Sequence, residues 1–181
     1  MKEILRYAGS KEIEDTVTEC LAEAEGSLSY KVCYAIVNIS INGEDIDMEF
    51  AKARSKDLAK NLSGCDKAII FAATVGMGID RLIAKYSRIS PSRALCFQAI
   101  GSERVESLCD AFEEEIKKEV SDGERFFKPR FSPGYGDLSL EIQKEIFSLL
   151  DCPRKIGVSL GDSLLMTPSK SVTAIMGYRT K

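Results

Sequence analysis

The six residues Ala68-Ile69-Ile70-Phe71-Ala72-Ala73 carry no polar side chain, so they belong inside the fold as a central strand. Thr74-Val75-Gly76-Met77-Gly78 follows this run, and then Ile79, Leu82, Ile83 and Tyr86 recur at helical spacing. Upstream, Lys31 to Phe50 alternates as two strands, with Val32, Tyr34, Ile36, Ile39 and Ile41, then Ile46, Met48 and Phe50, as the apolar positions. Asn42-Gly43 is the expected tight turn between them. A hairpin beside strands that do not alternate strictly with helices predicts an α+β fold, with clustered antiparallel strands and helices alongside. At 181 residues and 44% apolar content, the chain fits one domain spanning residues 1–181.

Helix signals fill the remainder. Ser10 can cap a helix with an inner face of Ile13, Val17, Cys20, Leu21 and Ala24, ending at Gly26. Ser55 opens a short helix through Leu58 and Leu62 that Gly64 closes. Pro91 starts the longest helix, which runs to Val120 and stops around Asp122-Gly123. Its core face is Val105, Leu108, Cys109, Phe112, Ile116 and Val120, with Glu106 and Glu113 both near the edge of that stripe. Geometry alone does not choose between these two carboxylates. Toward the C-terminus Cys152-Pro153 is expected to end a helix, and Ile156–Leu160 and Ser171–Met176 read as strands.

Several function classes are excluded by composition. The 25 basic and 28 acidic residues give a net charge of −3 with no basic cluster, which argues against nucleic acid and anionic membranes. The N-terminus has no apolar signal core and no window approaches a membrane span, so a cytoplasmic location is expected. The six cysteines are scattered, form no Cys-x-x-Cys pair and read as buried free thiols without a metal role. The complete absence of histidine removes Ser-His and Cys-His nucleophiles and His-ligated zinc. Glu44, Asp45, Asp47 and Glu49 lack a calcium-loop pattern and read as a solvated face. Gly76-x-Gly78 lacks the third glycine and the distal acid of a dinucleotide site, and is expected to be a tight turn lining a cleft.

The best candidate site is Arg130-Phe131-Ser132-Pro133-Gly134-Tyr135-Gly136-Asp137, a break between the extended run Phe126–Pro129 and an amphipathic helix bearing Leu138, Ile142, Ile146, Leu149 and Leu150. Asp137 or Ser139 can cap that helix. Such a loop is expected to deliver backbone N–H groups where a carboxylate or phosphate can be held. Arg130 offers a planar cation, Tyr135 a ring face and a hydroxyl, and Gly134 and Gly136 close approach of main chain.

This Arg-x-x-x-Gly-Tyr loop resembles the signature of the reactivation, S-adenosylmethionine-binding, domain of cobalamin-dependent methionine synthase. Ser163-Leu164-Leu165-Met166-Thr167-Pro168-Ser169-Lys170-Ser171-Val172 is similar to that family's Ser-x-x-Met-x-Pro-x-x-Ser-Val stretch. Ala99–Glu106 resembles its long-helix segment carrying an acidic ligand residue, and Thr74-Val75-Gly76 with Asp80 resembles its Thr-x-Gly turn. The motifs keep the family's order from about Glu3 to Gly177. The resemblance implies a twisted antiparallel sheet with flanking helices.

It also implies a function. S-adenosylmethionine would be held by Glu106, Arg130, Ser132, Gly134 and Tyr135, with Glu106 on the ammonium, Arg130 or loop N–H groups on the carboxylate, and Tyr135 packing on the ligand or steering its methyl-bearing end. Cobalamin would be carried by another chain, a cobalamin-binding methionine synthase subunit or other corrinoid protein, which must also bring any histidine ligand. An electron donor such as flavodoxin completes the expected partners. The chain has no carrier-like segment, so it is expected to act in trans as a separate component of methionine synthase. An aspartate near the start of the fused domain has no placed counterpart here, and the fused domain continues past its Ser-Val stretch whereas this chain stops at Lys181. Alternatives are reactivation of a corrinoid methyltransferase acting on methylamines or aromatic ethers, or a non-catalytic S-adenosylmethionine-binding or docking module. Tyr135→Ala and Arg130→Ala are both expected to weaken ligand binding with thermal unfolding nearly unchanged.

Overall fold

The computed structural model describes residues 11–120 and 126–180. The Ser10 cap, the Asp122-Gly123 stop and the start of the resemblance at Glu3 lie outside them. The elements in order are α1 (Lys11–Glu25), β1 (Lys31–Asn38), β2 (Ser40–Asn42), β3 (Asp45–Asp47), β4 (Lys52–Arg54), α2 (Lys56–Asn61), β5 (Lys67–Thr74), α3 (Met77–Tyr86), α4 (Pro91–Val120), a 3-10 turn (Leu140–Ile142), α5 (Gln143–Leu150), α6 (Cys152–Ile156), β6 (Ser159–Leu160), β7 (Met166–Thr167) and β8 (Ser171–Tyr178). The α+β expectation holds: helices flank an antiparallel sheet of order β1-β5-β8, with a β2-β3-β4 meander and a β6-β7 ribbon beside it.

The apolar run is indeed the central strand. Within β5, Ile70 and Ala72 face one cluster with Ile46, Met48, Leu58, Leu62, Ile146 and Leu150, while Ile69, Phe71 and Ala73 face α4 through Cys109 and Ile116. The N-terminal half of α4 instead joins α1 and α3 through Phe97, Ile100, Cys20, Ile79 and Leu82. At 30 residues, α4 is long enough for both tasks, since each residue adds about 1.5 Å. Its middle therefore crosses from helical bundle to sheet edge.

Local expectations differ in five places. In β1 the buried residues are Cys33 and Val37, whereas Tyr34 and Ile36 are exposed, because α4 covers only part of that edge strand's other face. Tyr34 still packs on Phe112 with ring centroids 5.4 Å apart. The hairpin turn is centred on Gly43-Glu44, since Asn42 pairs with Asp45, and Gly43 at φ 65° suits a first central residue with positive φ. Cys152-Pro153 opens α6 rather than ending a helix, following Asp151 in the left-handed region. Gly157, also left-handed, leaves only Ser159–Leu160 as strand. Ile13 is exposed on α1.

All six cysteines are free, four of them buried and Cys65 and Cys96 half-buried. Among the described residues no helix is long and apolar enough to cross a membrane.

Candidate functional site

The segment before the break forms no strand of its own. Phe127 and Phe131 make isolated antiparallel bridges to Tyr178 and Ile175, so the chain is laid against the outer edge of β8. Two 2.8 Å bonds between the Phe131 and Ile175 backbones fix Arg130 beside that edge. The break then turns sharply, with Tyr135 N–H donating to Ser132 O, Leu138 N–H to Tyr135 O and Gly134 N–H to Leu138 O. The amides of Gly134, Tyr135 and Leu138 are thus spent inside the loop and are not among those that could face a ligand. Gly134 at φ 87° and Gly136 at φ 53° make the turn possible.

Asp137 does not cap its own helix. Its carboxylate accepts from the Ser55 hydroxyl, from Lys56 N–H at 2.8 Å and from Asp57 N–H at 3.2 Å, tying the loop to the start of α2. Ser139 caps the following 3-10 turn by accepting from Glu141 N–H. A Cβ on Gly136 would stand 3.1 Å from Asp57 Cβ, so the loop and α2 are in close contact.

The bond from Ser55, then those from Lys56 and Asp57, hold the Asp137 carboxyl below its ordinary value of 3.8. A depressed carboxyl pKa stabilises the fold above the unfolded value and loses that contribution as pH falls through the folded value. Asp137→Asn is therefore expected to lower stability at pH 6 but to narrow its gap to the wild type below about pH 4, read by thermal melts across pH. A gap constant with pH would exclude this tether.

Arg130 is the hub of the charged side. Its Nη1 donates to Asp110 and Glu113 and its Nη2 to Glu106, each at 2.6 Å. The three acids recur at i, i+4 and i+7 and so share one stripe of α4. Glu113 is 11% exposed and also accepts from Lys117 at 3.1 Å, whereas Glu106 and Asp110 are exposed. Burial works to lower the Arg130 pKa, but the bonds to Glu113, Asp110 and Glu106 outweigh it and leave the guanidinium firmly protonated. Among the described residues three carboxylates face two cations here, an excess of negative charge. Two of the five guanidinium N–H groups have no partner among the described residues.

The cluster opens into a cavity of about 420 Å³ over the β8 edge, lined in part by Glu106, Arg130, Ser132, Tyr135, Gln143 and Met166. Ser171, Val172 and Thr173 at the start of β8 also line it. Tyr135, 67% exposed, stands at its rim. Of the sequence-predicted residues the fold thus gathers Glu106, Arg130, Ser132 and Tyr135, whereas Gly134 shapes the turn without lining the cavity. The Thr74 turn and the Ser163–Val172 stretch meet one another: Val75 N–H donates to Lys170 O, Ser169 N–H to Asp80, and the Ser171 hydroxyl lies 2.8 Å from Thr74 Oγ1. The Gly76-x-Gly78 turn lines no part of this cavity. Asp110 and Gln143 were missed. The i, i+4, i+7 acidic spacing could have found the first, and a polar residue on the buried stripe with Ile146, Phe147 and Leu150 the second.

No curated protein matches the chain. Among solved structures it is similar to the MetH reactivation domain bound to AdoHcy, with a TM-score of 0.71 and 15% identity over 92% of this chain. The chain spans 64% of that structure's length. The family described as vitamin B12 dependent methionine synthase, activation domain, matches residues 45–181, which include the charged hub, the loop and the cavity. This chain belongs to the activation-domain family of vitamin B12 dependent methionine synthase.

Proposed function

We propose that the chain binds S-adenosylmethionine in the β8-edge cavity and presents its methyl group to a cobalamin carried by a separate protein, as a reactivation component of methionine synthase. The observation that carries this reading is the cavity wall itself, where Glu106 and Arg130 of the charged cluster stand paired at 2.6 Å beside Ser132 and Tyr135. The ligand brings a sulfonium, an ammonium and a carboxylate. The Glu106 carboxylate complements the ammonium, the Tyr135 ring face suits the sulfonium, and the remaining N–H groups of Arg130 can take the carboxylate. The donor set fits the ligand.

Within this reading Glu106, exposed and on the cavity wall, holds the ammonium, and Tyr135 lays its ring face beside the sulfonium. Ser132 offers a hydroxyl on the same wall. The chain's contribution is to position the methyl group, which needs no general base and suits a chain without histidine. The corrinoid, when held by its carrier, supplies the nucleophile that accepts the methyl group. The carrier is a cobalamin-binding methionine synthase subunit or another corrinoid protein, working with an electron donor such as flavodoxin.

Calorimetric titration with S-adenosylmethionine, with ATP as the control for adenine alone, tests the reading. Saturable binding is expected for the first and none for the second. Tyr135→Ala is expected to weaken binding roughly tenfold. It should move the thermal midpoint little, because the side chain is largely exposed. Absence of saturable binding, with and without an added cobalamin-binding methionine synthase subunit, overturns the reading.

A further inference from the structure

One edge of β8 pairs with β5, and the other receives the incoming segment through Phe127 and Phe131. Phe131 and Ile175 exchange both main-chain hydrogen bonds, and Lys128 N–H donates to Gly177 O. The odd-numbered residues of β8 therefore direct their N–H and C=O groups away from β5. Thr173 is the next of these, and in the register of Phe131 with Ile175 its opposite number is Pro133. That rung is not made. Proline has no N–H to give the Thr173 carbonyl, and the Ser132–Tyr135 turn carries the loop off the strand, with Pro133 in its second position and Gly134, at φ 87°, in its third.

Thr173 is 2% exposed, yet among the described residues neither its N–H nor its C=O has a partner. Buried main-chain groups are nearly always paired, so this edge calls for a reason. The gap it faces is the cavity itself, which has Phe131, Ser132 and Pro133 on one side and Ser171, Val172 and Thr173 on the other. We infer that the bound ligand supplies the missing rung, setting an acceptor on Thr173 N–H and a donor on Thr173 C=O. This deepens the proposed S-adenosylmethionine reading and rests on it, since that molecule carries acceptors and N–H donors alike. Main-chain groups held by the sheet are already oriented, so a ligand meets them without the ordering cost that a mobile side chain imposes. Such a site leaves no mark in the side chain at position 173; its mark is the proline opposite.

The test follows amide hydrogen exchange and magnetic-resonance shifts of the isotope-labelled chain, with and without saturating S-adenosylmethionine, beside the calorimetric titration. Without ligand the Thr173 amide is expected to exchange at least roughly tenfold faster than that of Ala174, which points to β5. With ligand, Thr173 exchange should slow by roughly tenfold or more, and its amide proton and carbonyl carbon should both move downfield. Ala174 is the internal control and should keep its exchange rate. A Thr173 amide as protected as Ala174 in the unliganded chain means that the rung is already closed, which overturns the inference. Saturable binding that leaves Thr173 without these changes also overturns the inference, while the functional reading stands. Absence of saturable binding, with and without an added cobalamin-binding methionine synthase subunit, overturns both.

Discussion

Arg130→Ala is expected to lower the midpoint of thermal unfolding by roughly 6–12 °C, a far larger effect than the near-neutral one suggested by its place in a loop. Removing one partner of a buried ion pair costs about 3–5 kcal/mol, because the other charge stays behind uncompensated. Glu113 is the charge at stake, buried on α4. It keeps Lys117 at 3.1 Å, and Arg130 itself is 24% exposed, so the lower end of that range, about 3 kcal/mol, applies. For a chain of this size each kcal/mol shifts the midpoint by about 2–4 °C.

Glu106 and Asp110 are exposed and their pairs with Arg130 add little to stability. If Glu113 is the cause, adding Glu113→Gln to Arg130→Ala should recover at least half of the loss. Arg130→Lys should fall between, since one ammonium lacks the planar fork that reaches three carboxylates. A single-variant melt within about 2 °C of the wild type would show that the cluster is a surface feature and not a structural hub. The same substitution is expected to abolish measurable S-adenosylmethionine binding, so its binding loss must be read beside Tyr135→Ala, which leaves the fold alone.

What was legible in the sequence was local. Ser55, the apolar run of β5, and the start of α4 at Pro91 all announce themselves within a few residues, because caps, breakers and periodicity act over one or two turns. The β1 phase was not legible, because apolar side chains occupy both of its alternating faces and only the position of α4 decides which is covered. The destination of the Asp137 carboxylate was hidden for a different reason: its partners at Ser55, Lys56 and Asp57 lie about eighty residues away. The choice between Glu106 and Glu113 dissolves in three dimensions, since Arg130 reaches both and Asp110 as well. The family resemblance found the loop and the cavity wall, but the pairing of Arg130 with the acid expected to serve the ligand emerges only from the fold.

Gly78→Ala is expected to destabilise the chain by about 3 kcal/mol or more, although a Gly to Ala change inside an exposed helix ordinarily stabilises by roughly 0.5–1 kcal/mol. The sign is reversed by packing. Gly78 lies in the first turn of α3, and a Cβ there would stand 2.7 Å from the Ser27 carbonyl carbon, with the carbonyl oxygen closer still. That carbonyl belongs to the link between α1 and β1, whose Ser29 N–H donates to Val75 O at 2.9 Å, so neither backbone can retreat independently. The same turn supports the cavity through Asp80, which accepts from Ser169 N–H at 3.2 Å just before β8. Gly78→Ala should therefore shift the urea midpoint strongly and reduce S-adenosylmethionine affinity only modestly in the protein that remains folded. A phosphate-cradling role for Gly76-x-Gly78 makes the opposite forecast, lost nucleotide binding with an intact fold. A variant that melts at or above the wild-type temperature would mean that α3 is not held against Ser27 as closely as its glycine requires.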